Sequence, residues 1–192
     1  MKFLATAFLS LAALSAGTID RFFTVDTSSL AGTSGFLSLQ FNPGFDADPA
    51  VASILGFAST GATLGAATPT GDVTGSLPMT VAIGNTAAFN ELFQSIVFGS
   101  SFEFVLSLSG PAVDTPTGAI TGSTFSLSLI DSTLTSFLLT DDPSGAALII
   151  DLFPDASIGM LRAPAVNYVP EPFTGLLAGA VAAFFVARRR HS

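Results

Sequence analysis

Apolar residues alternate with polar ones through much of this sequence. The clearest case is residues 101–109, where Phe102, Phe104, Leu106 and Leu108 occupy every second position. Successive side chains of a β-strand point to opposite faces, so this pattern predicts a strand with one buried face. Segments of this kind must stack on their apolar faces to form a core. The same alternation, in shorter or less regular form, predicts strands at residues 22–26, 35–41, 51–57, 77–83, 124–130, 136–140 and 147–153.

Turn-forming residues separate these segments. Asn42, Pro43 and Gly44 make one such signal, and residues 70–72, 109–111 and 142–145 contain further glycines and prolines. Glycine and proline are the strongest local signals for a turn. About eight short strands separated in this way predict an all-β fold, an antiparallel β-sandwich of the jelly-roll type.

One segment has a different period. Phe89, Leu92, Phe93 and Ile96 follow the i, i+3, i+4, i+7 spacing of one helical face, which predicts a short helix over residues 86–96. Residues 59–75 are rich in glycine, threonine and alanine and predict a loop with a brief strand around Val73. We expect residues 17–153 to form the body of the sandwich and residues 154–168 to be a linker.

The N-terminus has the composition of a signal peptide. Lys2 provides a positive charge, residues 3–14 are mostly apolar, and Ala16 ends a small-residue cleavage site before Gly17. Cleavage after Ser15 is the alternative. Residues 1–16 therefore predict export of the chain across the cytoplasmic membrane.

The C-terminus has three parts in a fixed order. Residues 169–172 are Val169, Pro170, Glu171 and Pro172, and the two prolines exclude a regular helix there. Residues 173–187 carry no charge, and as a helix they would span about 22 Å, short of the ~30 Å hydrocarbon core. We predict a marginal transmembrane helix, with the basic end on the cytoplasmic side. That end is Arg188, Arg189 and Arg190.

This order resembles the bacterial PEP-CTERM sorting signal, in which a V-P-E-P box precedes a short hydrophobic helix and an arginine-rich end. The resemblance implies recognition by a membrane-embedded exosortase, which acts on the box at Val169, Pro170, Glu171 and Pro172. Residues 25–32, 40–44 and 71–75 also resemble the body of one group of PEP-CTERM proteins, to which we attach no activity. The expected partners are signal peptidase, an exosortase-like protease and the membrane before processing. The expected destination is the cell surface or the extracellular space.

Composition excludes several kinds of function. Residues 17–168 contain 13 acidic residues and two arginines, a net charge of −11 against −8 for the whole chain. Such a surface repels phosphate, so we expect no nucleic-acid partner. There is no cysteine, the only histidine is His191, and residues 17–168 contain no lysine. A Ser-His-Asp triad, a Schiff base and a metal site with nitrogen or sulfur ligands are therefore excluded from this part.

Carboxylates are the remaining chemical groups. A glycosidase would need two of them about 5–10 Å apart, and Glu91 and Glu103 are the only glutamates before the C-terminal motif. We expect Glu103 on a solvent-facing side of its strand and Glu91 on the polar side of the predicted helix. Calcium takes oxygen ligands, and the densest candidate ligands are two aspartate pairs. These pairs are Asp46 with Asp48 and Asp141 with Asp142.

The sequence therefore predicts an exported surface or extracellular-matrix protein whose body is structural or adhesive and not an enzyme. We expect no resident cofactor. The first alternative is a module that binds calcium or a glycan, with extracellular polysaccharide as the partner. The second alternative is a carboxylate glycosidase.

Overall fold

The regular secondary structure of the described part of the chain is almost entirely β-strand. The computed structural model describes residues 17–170. The strands in this range are β1 (Ile19–Asp26), β2 (Ser34–Pro43), β3 (Val51–Thr60), β4 (Thr63–Thr70), β5 (Val73–Gly75), β6 (Val81–Gly84), β7 (Glu91–Val97), β8 (Ser101–Ser109), β9 (Ser123–Asp131), β10 (Phe137–Leu138), β11 (Leu148–Leu152), β12 (Ile158–Arg162) and β13 (Val166–Val169). One helical turn, α1 (Pro111–Asp114), follows β8, and a 3₁₀ turn at Ser28–Leu30 follows β1.

The strands form two antiparallel sheets. The first sheet has the order β13-β1-β8-β3-β6-β5, and the second has the order β12-β11-β9-β2-β7-β4, with β10 paired to β9. The chain changes sheet after most strands. The connections that stay within a sheet are the hairpins β5-β6, β9-β10 and β11-β12 and the link from β10 to β11. The two apolar faces meet in one core, as in a β-sandwich. The prediction of an all-β antiparallel fold is confirmed.

Alternation along the strands produces this core. Phe102 and Phe104 of β8 are buried, whereas Glu103 between them is exposed. In the register of β1 with β8, Phe104 lies opposite Phe23, and their ring centroids are 5.6 Å apart. Phe125 of the second sheet is also fully buried. Large aromatic side chains from both sheets thus fill the centre of the core.

The sandwich is covered at both sides because the chain crosses between the sheets there. On one side, β4 leads to β5 through a turn at Gly71, whose φ of +73° suits glycine. On the other side, β12 leads to β13, and the Ala163 N–H donates to the Ala147 carbonyl over 2.8 Å. Edge strand β4 is further interrupted by a bulge after Leu64 and by Pro69. Bulges and prolines at an edge discourage pairing with another chain.

The helix predicted over residues 86–96 is wrong. Strand β7 occupies Glu91–Val97 and pairs with seven consecutive residues of β2. Leu92 and Ile96 are buried as predicted, but they point inward with the period of a strand, while Phe89 lies before the strand and is 45% exposed. Asn90 is fully buried, accepts a hydrogen bond from Asp72 N–H and donates to the Phe41 and Ala87 carbonyls. These tertiary contacts replace the helical ones.

Other boundaries also differ from the prediction. Residues 59–75, predicted as a loop with a brief strand, contain β4 as well as β5. The strand predicted at residues 77–83 begins only at Val81, and Met79 before it is exposed. Residues 154–168, predicted as a linker, contain β12 and most of β13, so the body extends beyond residue 153. Within residues 17–170 no helix is long and apolar enough to span a membrane. The predicted signal peptide (1–16) and transmembrane helix (173–187) lie outside the described residues.

Candidate functional site

The first residue of the predicted sorting box is part of the folded body. Val169 is the last residue of β13 and lies opposite Phe22 of β1. Pro170 follows it and is exposed. Because β13 and β1 are antiparallel neighbours, the chain leaves the sheet at the end where β1 begins, near Gly17. Glu171, Pro172 and the three arginines of the predicted membrane stop lie outside the described residues.

The first aspartate pair ties two loops together at that same end of the sandwich. The Asp46 carboxylate accepts hydrogen bonds from the N–H groups of Ile120 and Thr121, each over 2.9 Å. Asp48 accepts from Thr117 N–H over 2.8 Å and from its hydroxyl. The bond from Ile120, followed by those from Thr121, lowers the pKa of Asp46 below its usual value. These carboxylates therefore hold the loop between α1 and β9.

The second aspartate pair lies elsewhere. Asp142 accepts hydrogen bonds from the hydroxyl and the N–H of Ser144, which lower its pKa in that order. This turn follows β10, which pairs with the last residues of β9, whereas Asp46 contacts the loop that precedes β9. The structure does not bring the two pairs together. Within residues 17–170 no three acidic or histidine residues are grouped as metal ligands, and calcium binding at Asp46, Asp48, Asp141 or Asp142 stays a prediction.

The two glutamates lie on the outer faces of different sheets. Glu103 projects from β8 of the first sheet and is exposed, as expected. Glu91 belongs to β7 of the second sheet, and not to a helix. Two stacked sheets are about 10 Å apart even between their mean planes, and outer side chains point away from each other. The structure therefore does not bring these two carboxylates to one site.

Glu91 belongs to a polar network on the outer face of the second sheet. Its Oε1 accepts hydrogen bonds from the Ser38 hydroxyl and, over 3.1 Å, from Gln40 Nε2. Gln40 Nε2 also donates to the Ser38 hydroxyl over 3.0 Å, and Gln40 Oε1 accepts from Asn42 Nδ2 over 3.1 Å. Each donor in this series is fixed by its neighbour. The network therefore holds Glu91 and Gln40 in one orientation.

This network forms part of a groove of about 400 Å³, which we call the outer groove. The register of the sheet places Gln40 between Glu91 and Ser126, and Ser38 opposite Ser128. The floor is thus polar and spans β7, β2 and β9. The wall includes Phe137 of β10, Ile149 of β11 and the turn residue Ser144.

Phe137 provides an aromatic wall for the outer groove. The ring is 52% exposed, and one face lies on Gly145: a Cβ there would overlap three ring carbons at nearly equal distances. Gly145 also has a φ of +78°, which favours glycine. Glycine is the natural residue that both lacks a Cβ and adopts this positive φ without strain. The other part of the ring remains open to the groove.

A hydrogen-bonded turn positions Phe137. Between β9 and β10, the Asp131 carboxylate accepts from the Thr133 hydroxyl over 2.7 Å and from Thr135 N–H over 2.8 Å. It also accepts from Ser136 N–H over 3.2 Å. The bond from Thr133 contributes most to lowering the pKa of Asp131, and together these bonds lower it to about 2. The turn thus favours the ionised carboxylate.

The low pKa of Asp131 predicts a pH dependence of stability. A carboxyl whose pKa is lower in the folded than in the unfolded chain stabilises the fold at higher pH, and this stabilisation is lost as the pH falls from about 4 through about 2. We expect Asp131→Asn to reduce the fall in melting temperature over this range. Melting curves between pH 5 and pH 2 measure it. Asp141→Asn is the control, because Asp141 accepts no hydrogen bond in the described chain. Equal pH dependence of wild type and Asp131→Asn would contradict the prediction.

Sequence reasoning missed the outer groove. The available signal was the polar character of every second residue in β2 and β9, at Ser38, Gln40, Asn42, Ser126 and Ser128. Comparison with protein-family models, with curated proteins and with solved structures found no match to this chain.

Proposed function

We propose that this protein is exported and sorted by a system of the PEP-CTERM and exosortase type, and that its body is a non-catalytic adhesive or structural domain. The observation that supports this most directly is the position of the sorting box. The fold includes Val169, the first residue of the box, and the chain continues from an exposed Pro170. A protease that acts on the box would thus release an intact body.

The positions of the two ends support the same proposal. Gly17, which follows the predicted signal peptide, and Pro170 are at the same end of neighbouring strands β1 and β13. A body held at that end leaves its opposite end and the outer faces of both sheets uncovered. Exposed faces of this kind are available to a partner outside the cell.

The separation of carboxylates supports a body without glycosidase activity. Among the strands of the second sheet, Asp151 on β11 is the acidic residue that shares the outer face with Glu91. Strands β2 and β9 lie between β7 and β11, so three strand spacings of about 4.8 Å separate the two backbones by roughly 14 Å. A glycosidase needs its carboxylates about 5–10 Å apart.

We propose the jelly roll as the finer fold class. The first sheet contains the strand order β1-β8-β3-β6, and the second contains β2-β7-β4. The chain crosses between the sheets after most of these strands, as in Greek-key connections wound across two sheets. Jelly rolls often serve as lectin and capsid domains, which is compatible with an adhesive role.

Fractionation of producing cells tests the sorting proposal. We expect the full chain in the membrane or surface fraction, and a chain lacking residues 171–192 in the soluble exported fraction. The deletion starts at residue 171 because Val169 belongs to β13. Glu171→Gln should slow processing, whereas Glu103→Gln, the control that removes one carboxylate from the body, should not. A full-length protein that stays in the cytoplasm, or a deletion that leaves its location unchanged, would contradict the proposal.

A further inference from the structure

We propose that the outer groove binds an uncharged saccharide. The inference rests on the adhesive role proposed above and names the ligand class of that role. It depends on three features of the groove: its hydrogen-bonding groups, its aromatic wall and its position within the sheet.

The hydrogen-bonding groups of the groove match those of a sugar. Glu91 uses Oε1 within its network, and its Oε2 accepts no hydrogen bond in the described chain. A sugar hydroxyl can donate to that oxygen. The hydroxyls of Ser126 and Ser128 make no hydrogen bond in the described chain, so each can donate to or accept from a ligand. Gln40 is held by its neighbours, which fixes the direction of its amide.

The aromatic wall suits the apolar face of a sugar ring. Phe137 presents an exposed ring beside Ile130 and Ile149, which also line the groove. Saccharides have hydroxyl edges and a face of C–H groups, so a binding site needs polar and apolar surfaces side by side. The volume of about 400 Å³ lies within the usual range of small-ligand sites, about 300–1,000 Å³.

The position and charge of the groove restrict the ligand further. Its floor lies between β7 and β9, where the backbone groups are already paired, so a peptide cannot bind there by adding a strand. Residues 17–170 carry a net charge of −11, and Glu91 lines the groove. This charge disfavours uronic acids and sulfated sugars. An uncharged saccharide fits both conditions.

A saccharide array tests the inference. The full chain in detergent is applied to uncharged glucan, mannan and galactan oligosaccharides and to acidic ones, and calorimetry then measures the Kd for the best ligand. We expect binding to uncharged members and weaker or no binding to acidic ones, with or without added calcium. Ser126→Leu fills the floor and Phe137→Ala removes the aromatic wall, and each should raise the Kd by about tenfold or more.

Two controls match these variants. Ser53→Leu makes the same change on β3 of the first sheet, and Phe45→Ala removes a fully exposed phenylalanine ring from the loop between β2 and β3, away from the groove. Both should leave the Kd unchanged, and circular dichroism should show every variant folded. Three results would overturn the inference: no saccharide binds the folded protein, acidic saccharides bind best, or Ser126→Leu and Phe137→Ala both leave the Kd unchanged. These measurements use purified protein, so they are independent of the sorting proposal.

Discussion

Replacing Phe104 with alanine is expected to lower the free energy of unfolding by about 3–5 kcal/mol. Phe104 is 1% exposed, and its ring packs between those of Phe23 and Phe102, with centroid distances of 5.6 and 6.4 Å. Truncation removes buried apolar surface and leaves a cavity that neighbouring strands, fixed by their hydrogen bonds, can only partly fill. Urea unfolding of the purified body measures the change. A midpoint shift at constant slope identifies it as a loss of stability.

Glu103→Ala is the matched control for Phe104→Ala. Glu103 is the preceding residue of β8, has the same strand neighbours and points to solvent on the outer face of the first sheet. Substitutions at such surface positions usually change stability by less than about 0.5 kcal/mol. Similar destabilisation by both variants would contradict the assignment of Phe104 to the core and Glu103 to the surface.

The strands were predictable wherever alternation extends over several residues. Residues 101–109 gave the bounds of β8, because each inward position is a large apolar residue. The helix prediction over residues 86–96 is wrong because Leu92 and Ile96 satisfy both periods. They are four residues apart, which suits one helical face and also one strand face. Tertiary contacts make this segment a strand. Asn90 and Gln94 are both buried and bind backbone groups of other strands, which the local pattern does not contain.

The candidate sites also differ in how far the sequence alone predicts them. The predictions at the two termini rest on contiguous stretches, each with its own composition. The outer groove requires the register of β7, β2 and β9 to place Glu91, Gln40 and Ser126 side by side. The alternation predicts that Gln40 and Ser126 point outward, but it does not predict which strands are neighbours. The Gly145 contact that orients Phe137 is likewise a property of the folded chain.

Deleting β13, the last strand of the described chain, is expected to have the second large effect on stability. Val166 is fully buried, and Tyr168 packs on Phe23, with ring centroids 5.8 Å apart. The sequence predicts a linker here because the alternation of β13 covers only four residues after the turn at Ala163. Deleting β13 exposes Phe23 and Val25 of β1 and leaves β1 as an unprotected edge.

We therefore expect a chain of residues 17–165 to be less stable than one of residues 17–170 by at least about 3 kcal/mol. Burial of a valine and part of a tyrosine, with the hydrogen bonds of β13 to β1, accounts for this amount. Thermal unfolding, monitored by circular dichroism, compares the melting temperatures of the two chains. The chain of residues 17–170 should in turn have the same melting temperature as the body within the full chain, because β13 ends at Val169. Equal melting temperatures for the two truncated chains would mean that β13 adds nothing to the fold. The expected difference bears on the proposed sorting: the body keeps the whole of β13 only if a protease that acts on the box cuts after Val169.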